Sequence, residues 1–329
     1  MIKVEHLTKQ YGDFTAVNDL SFEIDEGNVY GFLGPNGAGK STTMNIMTGC
    51  LSATKGRVLI DGKDIFENPK EAKLLVGYLP EQPPLYLNET PLEYLHFVGE
   101  AKGLKGEQLK SQIEKVINDT KISDVKNTRI HDLSKGYKQR VGIAQALLGN
   151  PDVIILDEPT VGLDPIQIRE IRDLIKNLGS EHTVLISSHI LSEIQNMCDK
   201  ILIISHGKLI AFDEPEKLEA RLISPNNIKI TTDADVAETI MYLETLDGIT
   251  YNYVKTDNNG YTEAEVNTGR NDIYSVSKEL FLLFSSNNKI LYQIDLKKTD
   301  LEDIFVELTE TSDEEYEETE TEIKEGESL

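Results

Sequence analysis

The sequence predicts an α/β fold, a largely parallel sheet with crossover helices, followed by a smaller α+β domain and a charged tail. Two observations carry this reading. Short β-branched runs alternate with helical segments over residues 1–222, and the order of elements changes after a break at Ser224-Pro225-Asn226-Asn227. At 329 residues the chain has room for two domains of roughly 150 residues each.

In the first domain the runs are Ile2 to Val4, Val29 to Leu33, Val58 to Ile60, Val153 to Leu156, Val184 to Ser187 and Ile201 to Ile204. Their side chains are stiff at χ1 and pack well on a pleated surface, so each reads as a strand. Helix starts are marked by chemistry. Thr90-Pro91-Leu92-Glu93 joins a capping threonine to a glutamate three residues on, with proline at the first helical position, where its missing N–H costs nothing. Asn68-Pro69 and Asp164-Pro165 repeat the cap-then-proline pattern.

The second domain runs strand (Ile228 to Thr231), helix (Val236 to Leu246), strand (Ile249 to Lys255), turn (Asn258-Asn259-Gly260) and strand (Tyr261 to Val266). A helix (Ile273 to Phe284) and a strand (Ile290 to Asp295) complete a βαββαβ order, the ferredoxin-like plan, closed by a short helix around Leu301 to Leu308. Nothing in it resembles a catalytic constellation, so a packing or dimerisation role is expected. The expected boundaries are 1–222, 223–308 and 309–329. The last segment is a run of carboxylates from Glu310 onward broken by one lysine, Lys324, a composition that cannot offset the entropy of ordering and is expected to be disordered.

Charge and cysteine usage exclude several classes. With 57 acidic against 33 basic residues and a formal net charge of −24, the chain is repelled by a phosphate backbone, and no nucleic-acid partner is expected. Cys50 and Cys198 are the two cysteines, with no CxxC spacing, which argues against a disulfide framework or a zinc site and for a reducing compartment. The longest apolar runs, such as Val153 to Leu156 and Leu280 to Phe284, fall well short of the ~20 residues that cross a bilayer, and the N-terminus carries no apolar leader segment. The chain is therefore expected to be soluble by itself.

The chemistry is concentrated in Gly34-Pro35-Asn36-Gly37-Ala38-Gly39-Lys40-Ser41-Thr42, which follows an apolar strand and precedes a helix. This is a P-loop pattern in the context it requires: glycines let successive N–H groups curl toward phosphate oxygens, and the helix N-terminus adds its positive end. Lys40 is expected to span the β- and γ-phosphates and the Ser41 hydroxyl to ligate Mg²⁺. A second strand, Val153 to Leu156, ends in Asp157-Glu158. Adjacent positions of an extended strand point to opposite faces, so these carboxylates take different jobs unless the strand has already ended there. Asp157 is assigned to Mg²⁺ through water and Glu158 to the attacking water, as general base or water-positioning group.

Three further motifs, Leu133-Ser134-Lys135-Gly136-Tyr137 before a helix, Gly162-Leu163-Asp164 after Glu158, and His189 after Ser187-Ser188, complete a set that resembles the nucleotide-binding subunit of ABC transporters. The likeness covers residues 1–222, and the five motifs stand in the family's order. It implies a P-loop NTPase ABC ATPase domain with a helical insert, an enzyme that hydrolyses ATP with Mg²⁺. Ser134 and Gly136 resemble the signature loop that contacts the γ-phosphate bound by the opposite subunit; Lys135 and Tyr137 depart from the commonest signature, which has Gly and Gln there. His189 resembles the switch histidine, Asp164 the acid that communicates across the dimer, and Tyr11 the aromatic that stacks on adenine. Gly77-Tyr78-Leu79-Pro80-Glu81-Gln82 resembles the loop joining Mg²⁺ coordination to the membrane partner, with Glu81 as the metal ligand or Gln82 one residue later in that position.

The resemblance further implies pairing with a second copy or a related ATPase subunit, separate transmembrane permease subunits, and a cytoplasmic location on the inner face of the membrane. Gly77 to Tyr86 and Leu133 to Arg140 are most similar to export-type subunits of drug, antibiotic or gliding-related systems. Two alternatives fit less well. A non-transport switch acting on ribosomes or DNA is disfavoured by the acidic balance, and a regulatory ATP-binding module by the intact Glu158 and His189. The transported substrate is not legible, because it would contact the membrane subunit.

Overall fold

The computed structural model describes residues 1–221, 226–257, 260–269 and 273–297. The break at Ser224-Pro225, the turn residues Asn258 and Asn259, the helix expected around Leu301 to Leu308 and the acidic tail lie outside the described residues. Contacts divide the chain into two compact units, the first spanning Met1–Pro215 and the second beginning at Glu216.

The first unit opens with β1 (Ile2–Tyr11), β2 (Phe14–Ile24), β3 (Asn28–Leu33), α1 (Lys40–Met47), β4 (Lys55–Ile60), β5 (Lys63–Asp64), α2 (Pro69–Leu74) and β6 (Val76–Leu79). It continues with α3 (Pro91–Ala101), α4 (Gly106–Asp119), α5 (Lys135–Leu147), β7 (Val153–Leu156), α6 (Pro165–Leu178), β8 (Thr183–Ser188), α7 (Leu191–Gln195), β9 (Lys200–Ser205) and β10 (Lys208–Asp213). These strands form two sheets. One is four-stranded in the order β2-β1-β4-β5, and the other six-stranded in the order β10-β9-β3-β8-β7-β6.

The runs Ile2 to Val4 and Val58 to Ile60, expected in a parallel sheet, instead pair with each other antiparallel, Ile2 opposite Ile60 and Val4 opposite Val58. Burial explains the separation. Ile2, Val4, Val58 and Ile60 are at most 2% exposed and share a core with Met44, Ile46 and Met47 of α1 and with Tyr30 and Phe32 of β3, so the antiparallel sheet is a second layer packed over the first. The parallel strands are covered on both faces, as such strands are. All four side chains of β7 are at most 1% exposed, each contributing about 1.5–3 kcal/mol by burial. Strand β10 closes the edge antiparallel to β9.

The sheet's registers position everything that follows. Leu33 at the end of β3 lies opposite Ser188 of β8, Leu156 of β7 opposite Ile186 of β8, and Leu79 of β6 opposite Leu156. Four strands thus end side by side, and the segments that leave them emerge at one edge, where open parallel sheets bind ligands.

Helices α3 and α4 are inserted between β6 and α5. The start of α3 is the capping box read from the sequence: Thr90 Oγ1 accepts from Glu93 N at 3.3 Å, and Glu93 Oε2 accepts from Thr90 N at 2.9 Å. Asp164 caps α6 through Ile166 N at 3.0 Å and Gln167 N at 2.9 Å, whereas Asn68 makes no side-chain cap bond to α2. Lys102, just past α3, ties the insert to the end of α5 by donating to the carbonyls of Leu148 (2.7 Å), Gln145 (3.0 Å) and Ala146 (3.3 Å). Its ammonium satisfies carbonyls that a helix end leaves without partners, while burial pushes its pKa down to about 8.

Helix α8 (Pro215–Arg221) leads into the second unit, with β11 (Asn226–Thr232), α9 (Val236–Leu243), β12 (Ile249–Thr256), β13 (Thr262–Thr268), α10 (Ile273–Ser286) and β14 (Leu291–Lys297). Its strands pair in the order β12-β13-β11-β14, every pair antiparallel. Ile228, Ile230, Ala264 and Val266 alternate inward and meet Val276, Leu280 and Phe284 of α10, a separate core. Among the described residues, no helix is long and apolar enough to cross a membrane.

Candidate active site

The loop from Gly34 to Gly39 leaves β3 and turns into α1. Gly39 caps that helix at φ 98, a left-handed conformation, and a Cβ there would run into the Ala16 carbonyl, so the position needs glycine on two counts. Ala38 forms the back of the loop, its carbonyl accepting from Gly207 N at 3.0 Å. Lys40, 6% exposed, bends back over the loop and donates to Gly34 O at 2.8 Å and Pro35 O at 3.1 Å, with Glu158 Oε1 3.8 Å away. Burial lowers the Lys40 pKa, and the carboxylates of Glu158 and Asp157 oppose that shift.

Strand β7 stops at Leu156, so Asp157 and Glu158 do not point to opposite faces as an extended strand would require. Glu158 instead takes φ 48, a conformation that costs a non-glycine residue about 1–2 kcal/mol. Ser187 at the end of the neighbouring β8 compensates: its hydroxyl accepts from Glu158 N at 2.8 Å and donates to Asp157 Oδ1 at 2.5 Å. Asp157, 2% exposed, also accepts from Ser41 Oγ at 3.3 Å. One hydroxyl therefore holds the Asp157 carboxylate and the Glu158 backbone, a role the sequence reading missed; a serine at the carboxyl end of a parallel strand is the signal that could have found it.

His189 follows β8 with its side chain 40% exposed, and its Nδ1 lies 3.0 and 3.1 Å from the two Glu158 carboxylate oxygens, within hydrogen-bond reach of both. These groups floor a cavity of about 410 Å³, within the ~300–1,000 Å³ of small-molecule sites. Asn36, Gly37, Gly39, Lys40, Ser41, Thr42, Glu81, Glu158 and His189 line it, joined by Tyr11, Phe14, Ala16 and Val161; Gln82 is not part of that lining. Tyr11 and Phe14 face each other across the β1–β2 turn, 49% and 62% exposed. The Lys9 ammonium sits 5.1 Å from the Tyr11 ring centroid. Phe14 went unnoticed in the sequence because its place at the cavity comes from strand pairing.

Of the expected ligand-binding residues, Gly34, Pro35 and Ala38 belong to the loop but not to this lining, and three more lie in other segments. Ser134 caps α5, accepting from Tyr137 N at 3.4 Å; Gly136 is buried beneath the Gln167 side chain; Asp164 caps α6. Tyr137, in the signature position that departs from the usual Gln, donates its hydroxyl to Asp124 Oδ2 at 2.6 Å, which raises its pKa, and lies beside the Arg140 guanidinium.

The donor chemistry around the loop is oxygen only: the Ser41 hydroxyl with the carboxylates of Asp157 and Glu81. Among the described residues no group of three or more His, Cys, Asp or Glu is clustered to cage a metal. A set this sparse fits a hard cation that takes its remaining ligands from phosphate and water.

A family profile described as ABC transporter matches residues 17–161. An uncharacterised ABC transporter ATP-binding protein of Methanocaldococcus jannaschii is 40% identical over 218 residues, 66% of this chain and 79% of that protein. A bacitracin transport ATP-binding protein of Enterococcus faecalis is 36% identical over 313 residues, 94% of this chain and 96% of that protein. Among solved structures, a dimeric ATP-binding cassette in a post-hydrolysis state with ADP and Pi superposes with a TM-score of 0.59 at 27% identity, covering 65% of this chain and 98% of that one.

Proposed function

The chain belongs to the ATP-binding family of ABC transporters, and from that premise we propose how its cavity binds and hydrolyses ATP to drive transport, in the direction of export. The observation that carries the reading is the convergence of Lys40, Ser41 and Glu158 on one cavity, with the Asp157 carboxylate hydrogen-bonded to Ser41 behind its lining.

The loop N–H groups and the Lys40 ammonium hold the β- and γ-phosphates, the adenine lies against Tyr11 and Phe14 at the mouth, and Glu158 takes a proton from the attacking water. Ser41 and Glu81, with Asp157 through water, would hold Mg²⁺, which would neutralise charge developing on the phosphate oxygens. His189, now against Glu158, is near enough to orient the water or the γ-phosphate. Each aromatic supplies about 1–3 kcal/mol of stacking, so Tyr11→Ala and Phe14→Ala are each expected to weaken ATP binding about 10-fold in a calorimetric titration. Unchanged affinity in both variants would move the base elsewhere.

Ser134, Gly136 and Asp164 stand outside the cavity that their own chain builds, which supports a site completed by a second subunit. The N-terminus of α5 would then meet the γ-phosphate of the opposite subunit, a favourable end for an anion. Loss of that phosphate removes the contact and lets the pair reopen. Separate permease subunits convert the motion, placing this chain on the cytoplasmic face of the membrane. The full-length likeness to a bacitracin transport protein supports an antibiotic or related compound as cargo. Below the dimer dissociation constant, the ATPase rate is expected to rise more steeply than linearly with protein concentration. A rate linear down to nanomolar protein would overturn the shared site.

A further inference from the structure

We propose that Thr160 and Glu193 are positioning residues for hydrolysis, a buried hydroxyl-to-carboxylate bond that locks the segment carrying His189 to the segment carrying Glu158. The proposal rests on the roles given to Glu158 and His189 above.

Thr160 stands two residues beyond Glu158, and Glu193 four residues beyond His189. They are 4% and 6% exposed, and Thr160 Oγ1 donates to Glu193 Oε2 at 2.5 Å. Burying a carboxylate is costly unless it is hydrogen-bonded, and in a low-dielectric interior the bond that satisfies it is correspondingly strong. An apolar side chain would fill the same place at less cost, so the pair has a use other than filling space.

That use follows from how α7 is held. The helix has five residues and no side-chain cap at Ile190, too short to be stable without tertiary contacts. Its apolar side is seated through the buried Leu191 and through Ile194, whose side chain occupies the space left by the missing Cβ of Gly31. Its polar side is seated through Glu193 on Thr160. Between β8 and this double anchor, His189 is partly exposed and faces Glu158. Beyond the Ser187 bonds at the strand ends, the two segments meet at His189 and Glu158 in the cavity and at the buried pair Thr160 and Glu193. The first contact must loosen when His189 turns to a phosphate or a water. The second stays closed and returns His189 to the same place in each cycle.

The test uses the full-length chain. Thr160→Val removes the hydroxyl at nearly constant volume; it is expected to keep ATP affinity within about 2-fold and to lower turnover about 10-fold, a positioning effect seen in kcat rather than KM. Thr160→Ser, which keeps the hydroxyl, is expected to restore turnover to within about 2-fold of the parent. In the double variant with His189→Ala, Thr160→Val is expected to cost nothing further, because it acts through the histidine. Parental turnover in Thr160→Val, or Thr160→Ser as slow as Thr160→Val, overturns the proposal, as does a lowered melting temperature with turnover per folded molecule unchanged. If His189→Ala itself turns over at the parental rate, the role of His189 fails. If His189→Ala is slow while Thr160→Val is not, only the positioning bond fails.

Discussion

Glu158→Gln is expected to bind ATP about as tightly as the parent and to hydrolyse it about 10²- to 10⁴-fold more slowly, the range attributed to a positioned general base. Glutamine matches the size of the side chain, which is 8% exposed and set in a cavity floor shared with Lys40 and His189. The bond that holds the left-handed turn comes from the backbone N–H to Ser187 and survives the substitution. What is lost is the capacity to take a proton, together with the negative charge facing His189 and Lys40. Single-turnover hydrolysis measured beside nucleotide binding separates the two effects. The ATP-bound variant is further expected to run as a dimer in size-exclusion chromatography. Near-parental hydrolysis would remove Glu158 from the role.

Lys40→Ala is expected to weaken ATP binding about 100-fold, from losing charge-assisted contacts of about 1.5–3 kcal/mol each. Two further losses add to this. Lys40 donates to the carbonyls of Gly34 and Pro35, so the loop loses an internal brace; and Asp157 and Glu158, without the cation between them and the loop, repel the triphosphate. Titration calorimetry checks the affinity, and retained tight binding would refute the phosphate cradle. The same site gives a pH dependence. Burial lowers the Lys40 pKa, so its ammonium is present at low pH and lost as pH rises through the lowered value. ATP affinity is expected to decline with rising pH sooner than it would for an exposed lysine.

The features legible in advance are those written in contiguous residues. Gly34 to Thr42 could be read as a phosphate loop because each residue's requirement is local: φ 98 at Gly39, an ammonium at Lys40, a hydroxyl at Ser41. The caps at Thr90 and Asp164 are local in the same way, formed within three residues. The strand segments were legible as well, but not their partners. Ile2 and Ile60 carry the same alternation whether they join a parallel sheet or build a layer of their own, and periodicity does not separate the cases.

Phe14, Ser187, Thr160 and Glu193 were not legible as site residues: Phe14 gains its place at the cavity through the β1–β2 pairing, and the other three acquire their partners across the fold. Phe14 meets Tyr11 through a hairpin, Ser187 meets Asp157 and Glu158 through a parallel strand pair, and Thr160 meets Glu193 across 33 positions.

The amino-acid sequence by itself determined that this chain carries the residue pattern of a phosphate loop, a strand ending in two acids and a histidine after a second strand, because sterics, caps and side-chain chemistry act over a few neighbouring residues. Only the tertiary structure decided that Glu158 joins Lys40 and His189 at one cavity while Asp157 bonds Ser41 behind it, that Ser187 holds the Asp157 carboxylate and the Glu158 backbone, and that Ser134 and Gly136 lie outside the cavity lining. Those outcomes depend on strand register and on which apolar faces are buried together, and that energy is summed over many distant side chains at once.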